Sequence, residues 1–306
     1  MTTSLPALGP NAEQIEYWNE IQGAKWVALQ QRLDALIEPF GALAIDHAGI
    51  APGERVLDVG CGCGATCLAL AERVGPGGSV LGVDISTVML ERARERVRSA
   101  GLEHVELANA DAQTHAFAPG ARDLVFSRFG VMFFADPTRA FVNLRTALRP
   151  GGRAVFICWR SLAENPWLGV PLGALASFLT PPPPPPPGSP GPFAFADPDR
   201  IRAILTGAGF ERAEIAAHDR EIALGRDLED AVDFTLTTGP ASRLLEDAGV
   251  AHRARAEQVV CEALAPYVGR SGVVLAGAVW CVTARNPQAD RRSARSEAKP
   301  SEVRTD

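Results

Sequence analysis

The stretch Val56-Leu57-Asp58-Val59-Gly60-Cys61-Gly62-Cys63-Gly64-Ala65 constrains this chain more than any other. An apolar, valine-rich run suits a strand buried on both faces, and the alternate glycines after it make a tight turn that opens a helix. One βα unit later, Val80-Leu81-Gly82-Val83-Asp84 repeats the strand character and ends in a carboxylate placed to meet the hydroxyls of a ribose. The pair predicts an α/β sheet with a nucleotide-type ligand at its carboxyl edge.

Which nucleotide depends on charge. Gly60, Gly62 and Ala65 with Asp84 downstream also satisfy the G-x-G-x-x-A spacing of NAD sites. Asp58 distinguishes the two, because a carboxylate at the mouth of the glycine turn repels a diphosphate and attracts a cation. S-adenosylmethionine (SAM) has an ammonium and a sulfonium where NAD has phosphates, and it keeps a ribose for Asp84. An NAD oxidoreductase is the alternative from another class; the chain has tyrosine only at positions 17 and 267, so a Tyr-x-x-x-Lys pair after the fourth strand is missing.

With these residues in place, the chain resembles the class I SAM-dependent methyltransferases. Further segments carry the resemblance in order: Ile85-Ser86-Thr87-Val88-Met89-Leu90, Asn109-Ala110-Asp111-Ala112-Gln113, Asp123-Leu124-Val125-Phe126-Ser127 and Arg149-Pro150-Gly151-Gly152-Arg153. It is most similar to the small-molecule enzymes of the ubiquinone and menaquinone biosynthesis type. The resemblance implies that Asp58, Gly60, Cys61, Gly62, Gly64, Asp84, Ile85, Met89, Asp111, Ala112 and Ser127 form the cofactor site. Asp111 would accept from the adenine amino group, and S-adenosylhomocysteine would be the product. On the acceptor side stand Arg128, Phe129, Phe133, Trp18 and Trp26, with Arg128 either positioning an acceptor oxygen or pairing with a structural carboxylate. A small hydrophobic or aromatic acceptor is implied, with oxygen, nitrogen or carbon as the target atom left open and no catalytic base assigned. A SAM-binding protein of the same fold with non-methylating chemistry is a further alternative.

Composition narrows the partners. Lys plus Arg total 30 against 36 Asp plus Glu, a net charge of −6, which disfavours a phosphate backbone as ligand. No stretch is long and apolar enough for a membrane span, and Met1-Thr2-Thr3-Ser4 lacks the basic start of a secretion signal, so a cytoplasmic monomer or homodimer is expected. The six cysteines do not form a disulfide framework. Cys61, Cys63 and Cys67 tempt a metal reading, but the first two occupy glycine-turn positions where small side chains pack, so no metal is expected.

The expected architecture is a Rossmann-like, seven-stranded, mostly parallel sheet with helices on both faces. Residues 1–54 read as an N-terminal helical cap, with helices from Asn11, over Lys25 to Glu38, and over Pro39 to His47. Residues 55–159 read as the cofactor-binding core, with strands Arg55 to Val59, Ser79 to Asp84, Val105 to Asn109, Leu124 to Arg128 and Arg153 to Trp159. A lid and a polyproline spacer, Pro181 to Pro187, fill 160–196. Residues 197–286 complete the sheet, with strands Arg212 to His218 and Gly277 to Ala284 and an insert before the last strand made of helices Asp227 to Leu236 and Ala241 to Leu264. The charged tail, 287–306, reads as disordered.

Overall fold

Strand, turn and helix alternate from Arg55 onward as the hydrophobic pattern requires, and three helices come first. The computed structural model describes residues 5–20 and 22–288. Of the tail read as disordered, residues 289–306 lie outside the described residues.

The leading helices are α1 (Ala12–Glu20), α2 (Gln22–Ala28) and α3 (Gln30–Ala48). The alternating part comprises β1 (Arg55–Val59), α4 (Ala65–Val74), β2 (Ser79–Asp84), α5 (Thr87–Ser99), β3 (Val105–Asn109), β4 (Arg122–Arg128), α6 (Pro137–Ala147) and β5 (Leu148–Trp159). After α7 (Pro166–Leu175) and α8 (Pro198–Gly207) comes β6 (Glu211–Gly225). The helices α9 (Leu228–Thr237), α10 (Gly239–Ala248) and α11 (Arg253–Leu264) then precede β7 (Val268–Gly269) and β8 (Gly272–Arg285). The sheet runs β3-β2-β1-β4-β5-β8-β6, the expected seven strands, and the two-residue β7 pairs with β8 as an eighth. Only parallel pairs join β3 through β5, whereas β8 runs antiparallel to both β5 and β6.

Register fixes what faces what. Asp58 sits opposite Gly82 on β2 and Phe126 on β4. Side chains alternate along a strand, so Asp84 and Arg128, two residues further on, share the face of Asp58. That face is covered by α3, whose Asp34 and Gly41 meet the Arg128 side chain. Ser127 pairs with Phe156 and looks the other way. There Phe141 of α6 packs against Phe156, Phe195 and Phe210, the core of the second layer.

Several boundaries differ from the pattern reading: β4 and β5 begin at Arg122 and Leu148 rather than Leu124 and Arg153, and the helix expected over Lys25 to Glu38 is divided at Leu29 between α2 and α3. The proline at 39 does not end a helix: α3 passes through it, because Leu33, Leu36, Ile37, Phe40 and Ala44 form one buried face across the proline. Burial on that scale outweighs the ~3 kcal/mol penalty of an internal proline. The long helix expected over Ala241 to Leu264 is instead two, α10 and α11, divided at Gly249 with φ 90°. The last two long strands extend well beyond the expected His218 and begin before Gly277, since β6 and β8 pair from Glu211 with Arg285 to Gly225 with Val273.

Phe141 is fully buried among three other phenylalanines. Phe141→Ala is therefore expected to lower the free energy of unfolding by about 3–5 kcal/mol, read from urea denaturation followed by circular dichroism.

Candidate functional site

The glycine turn works because its backbone enters conformations closed to other residues. Gly60, Gly62 and Gly64 have φ of 70°, 55° and 81°. A Cβ on Gly60 would stand 2.7 Å from the Gly130 Cα, and one on Gly62 would stand 2.9 Å from the Met89 Cε. The turn is thus pressed between the loop after β4 and the first turn of α5, and its amides are held within the protein: Gly60 and Cys61 N–H donate to Val83 O, Gly62 N–H to Asp84 and Gly64 N–H to Cys61 O.

Asp58 lies beneath this turn, fully buried. One carboxylate oxygen accepts from Thr66 Oγ1 at 2.5 Å and from Cys67 Sγ at 3.2 Å. The other, Oδ1, is buried with no hydrogen-bond partner. Burial raises the Asp58 carboxyl to about 6, against the pull of Thr66, Cys67 and the Arg128 charge. Asp84, at the end of β2, accepts from Gly62 N–H and Ser86 N–H, both at 2.8 Å. Burial also raises it, with those amides opposing.

The N-terminal helices close over the same edge. Asn11 donates to Asp111 Oδ1 at 2.9 Å, the Trp18 carbonyl accepts from Ser86 Oγ at 2.8 Å, and Asn19 bridges Ile85 O and Thr87 N–H at 2.9 and 2.8 Å. Trp18 sets its ring edge to face against Trp26 and Phe133, with centroids 5.7 and 5.4 Å apart. Three of the residues expected on the acceptor side, Trp18, Trp26 and Phe133, are therefore one cluster. Phe129 belongs to another: it stacks on Trp159 at 4.2 Å and has φ 63°, a left-handed backbone that costs a non-glycine residue about 1–2 kcal/mol.

Several expected site residues also hold the framework together. Asp111 is bonded to Gln113 N–H and Thr114 Oγ1 as well as Asn11. The Ala112 carbonyl accepts from Asn143. Ser127 Oγ donates to Val59 O at 2.7 Å and accepts from Gly130 N–H at 3.2 Å, tying the ends of β1 and β4 together. Cys61 and Cys67 point under the turn, where a Cβ on Gly82 would meet both sulfurs. The Cys67 thiol is raised by its bond to Cys61 and by burial, and burial pushes Cys63 up to about 12, so both stay protonated at neutral pH.

Asn19, Asp34, Thr66 and Trp159 escaped the sequence reading. Thr66 sits one position beyond the glycine motif and was visible as a polar residue opening α4. Asn19 and Asp34 carried no local signal, since their partners lie 66 and 94 residues away.

A doubly wound sheet with a reversed strand beside its edge strand, a glycine turn after β1 and carboxylates at the ends of β1 and β2 is the class I methyltransferase fold. Residues 56–152, about a third of the chain, match the family described as a methyltransferase domain. Aklanonic acid methyltransferase DauC of Streptomyces sp. (strain C5) is 39% identical over 118 residues, which are 39% of this chain and 54% of that protein. Demethylmenaquinone methyltransferase of Bacillus cytotoxicus is 36% identical over 106 residues, 35% of this chain and 45% of that protein. The chain spans about half the length, or less, of the curated relatives it matches. The solved structure of a candidate methyltransferase from Bacillus halodurans C-125 superposes with TM-score 0.55 at 19% identity, over 81% of this chain and 99% of that one, a likeness of fold.

The Asp58 carboxyl, ordinarily near 3.8, is raised to about 6, so between those values the folded protein holds a proton that the unfolded chain has released. Stability then falls as pH rises through this window and stays lower above it. Asp58→Asn removes the buried charge and is expected to raise the free energy of unfolding by roughly 2 kcal/mol at pH 7.5, with the difference fading near pH 4. Urea denaturation of both proteins at the two pH values measures it.

Proposed function

We propose that this chain transfers the methyl group of SAM to a small, hydrophobic or aromatic acceptor and releases S-adenosylhomocysteine. The observation that carries the reading is the pair Asp58 and Asp84, on one face of adjacent strands and on either side of a glycine turn that no Cβ can enter. The unpartnered buried Oδ1 of Asp58 fits a cationic ligand group and would disfavour a diphosphate.

When bound, SAM supplies an electrophilic methyl on a positively charged sulfur. Asp58 would hold the ammonium, the amides of Gly60 to Gly64 would line the methionine part, and Asp84 would accept from the ribose hydroxyls. Asp111 would meet the adenine amino group, with Ala112 offering a backbone contact and Ile85 and Met89 an apolar bed. The Trp18, Trp26 and Phe133 cluster would exclude water. Because positive charge disperses as the methyl moves, a dry apolar chamber favours the transfer, and orientation supplies much of the rate without a dedicated base.

Relatives named for aklanonic acid and demethylmenaquinone support a small acceptor. A net charge of −6 supports an acceptor other than nucleic acid. No helix among the described residues is long and apolar enough to cross a membrane.

Titration calorimetry with S-adenosylhomocysteine is the direct test: binding at submillimolar concentration is expected, and none at that concentration would overturn the reading. Asp84→Ala should weaken binding at least tenfold while the far-ultraviolet circular dichroism stays unchanged. The ammonium needs the ionised form of Asp58, whose carboxyl is raised to about 6. Affinity should therefore be flat above that pH and fall about tenfold per unit below it, a dependence that Asp58→Asn removes. Methyl transfer from labelled SAM into a cell extract, followed by mass spectrometry, identifies the acceptor.

A further inference from the structure

The sheet ends on β6, and the direction of that strand's backbone groups follows from the strand beside it. Ala278 on β8 turns both of its groups toward β5: its carbonyl accepts from Arg160 N–H at 3.0 Å, and its N–H donates to Asn165 Oδ1 at 2.8 Å. Successive residues of an antiparallel strand bond to opposite sides, so Val279 turns toward β6, where it pairs with His218. Glu214, Ala216, His218, Arg220 and Ile222 therefore bond to β8. Ile215, Ala217, Asp219 and Glu221 turn their N–H and carbonyl groups out from the edge. Two side-chain contacts agree with this phase, since the outward carbonyls of Ala213 and Asp219 accept from Arg202 at 3.4 Å and from Arg220 at 2.9 Å.

This edge is long and open. β6 runs over Glu211–Gly225, whereas β3 at the opposite end of the sheet covers only Val105–Asn109. Glu214, Ala216, Ala217, Asp219, Arg220 and Glu221 are all exposed. Natural edges are blunted by like charges, bulges or a covering loop. Here a bulge between Glu211 and Glu214, with Arg212 at φ 52°, ends the regular stretch on one side, and beyond it the exposed charges are of both signs. Glu214 and Arg220 lie on the strand face that carries His218, whose ring meets His47 of α3 with centroids 5.0 Å apart. Among the described residues neither is engaged in a salt bridge, and Arg220 reaches only its neighbour's carbonyl.

A free edge of this phase accepts a further antiparallel strand, and the strand whose charges fit it is β6 of a second copy. We propose that two chains pair through β6 about a two-fold axis at Ala217, joining their sheets into one. Outward residues must meet outward residues, so Ile215 stands opposite Asp219 of the second copy and Ala217 opposite Ala217, each pair exchanging its N–H and carbonyl bonds. Between them come the pairs without such bonds, whose side chains are closer: Glu214 opposite Arg220 and Ala216 opposite His218. The symmetry repeats each, so opposite charges meet twice. Moving the axis by one residue loses the match. About Ala216, Arg220 meets the bulge at Arg212, and about His218, Glu214 meets Ile222. The assignment is independent of the cofactor reading above.

Sedimentation velocity on the full chain is the test, and wild-type protein is expected to pass from one chain to two between about 1 and 100 μM, the range of a modest interface. Arg220→Glu sets like charges opposite each other twice and should weaken association about tenfold. Glu214→Arg should do the same, and the exchange of both, Glu214→Arg with Arg220→Glu, should return it to within about threefold of wild type. Ala217→Pro removes an outward N–H that β8 does not use, so the far-ultraviolet circular dichroism should stay unchanged while the dimer is lost. Wild-type protein that remains a single chain at about 100 μM overturns the proposal, and that measurement needs no variant to fold. A dimer that survives both Arg220→Glu and Ala217→Pro overturns it too, since another face then holds the copies together. So does an exchange that leaves association as weak as either single reversal.

Discussion

The burial of Asp58 sets the conditions for the rest of the molecule. A carboxylate sealed under a glycine turn keeps its charge only with help, and Thr66 and Cys67 provide it at one oxygen. The second oxygen has no hydrogen-bond partner, so the strand, the turn and the opening of α4 enclose a carboxylate that is satisfied on one side only. Local strain gathers at the same place: three glycines at positive φ and Phe129 at 63° all lie within the loops that meet at the end of β1. A fold built for stability alone has no reason to assemble these costs in one spot.

The N-terminal helices are part of this arrangement. Asn11, the Trp18 carbonyl and Asn19 satisfy polar groups on Asp111, Ser86, Ile85 and Thr87, while Asp34 steadies Arg96 and Arg128. Each such bond contributes on the order of 1 kcal/mol, less than the burial of the apolar face of α3. The packing of α3 therefore fixes the cap, and the polar contacts fix where it sits relative to the site. Trp18, Trp26 and Phe133 join the two, since their aromatic edges bind α1 and α2 to the loop after β4.

Elements whose signal is local were legible. The strands β1, β2 and β3 and the helix α4 have the bounds that the sequence pattern and the glycine turn imply, because the central strands β1 and β2 are largely buried and read as valine- and leucine-rich runs. Elements whose bounds depend on a distant surface were less so. Pro39 reads as a break until Phe40 is seen packed on Phe129 and Trp159. The long β6 carries mostly exposed and half-buried residues along its first ten positions, and only pairing with β8 keeps it extended to Gly225. In the candidate site, the residue types at 58, 60, 62, 64 and 84 marked the turn and the carboxylates that the structure brings to one edge of the sheet. The partner of Arg128, Asp34 of α3, was not legible, because which way a side chain faces at the end of a strand depends on the register of its neighbour.

By itself the sequence determined the sheet's alternation with helices, the glycine turn and the charges at the strand ends, since each depends on neighbours a few residues apart. Only the tertiary structure decided which of those charges confront one another, that Asp58 keeps one oxygen unpartnered, and that Asp34 reaches across from α3 to Arg128. Such relations arise between segments far apart along the chain, and they exist only once burial has brought the segments together and strand pairing has fixed the faces.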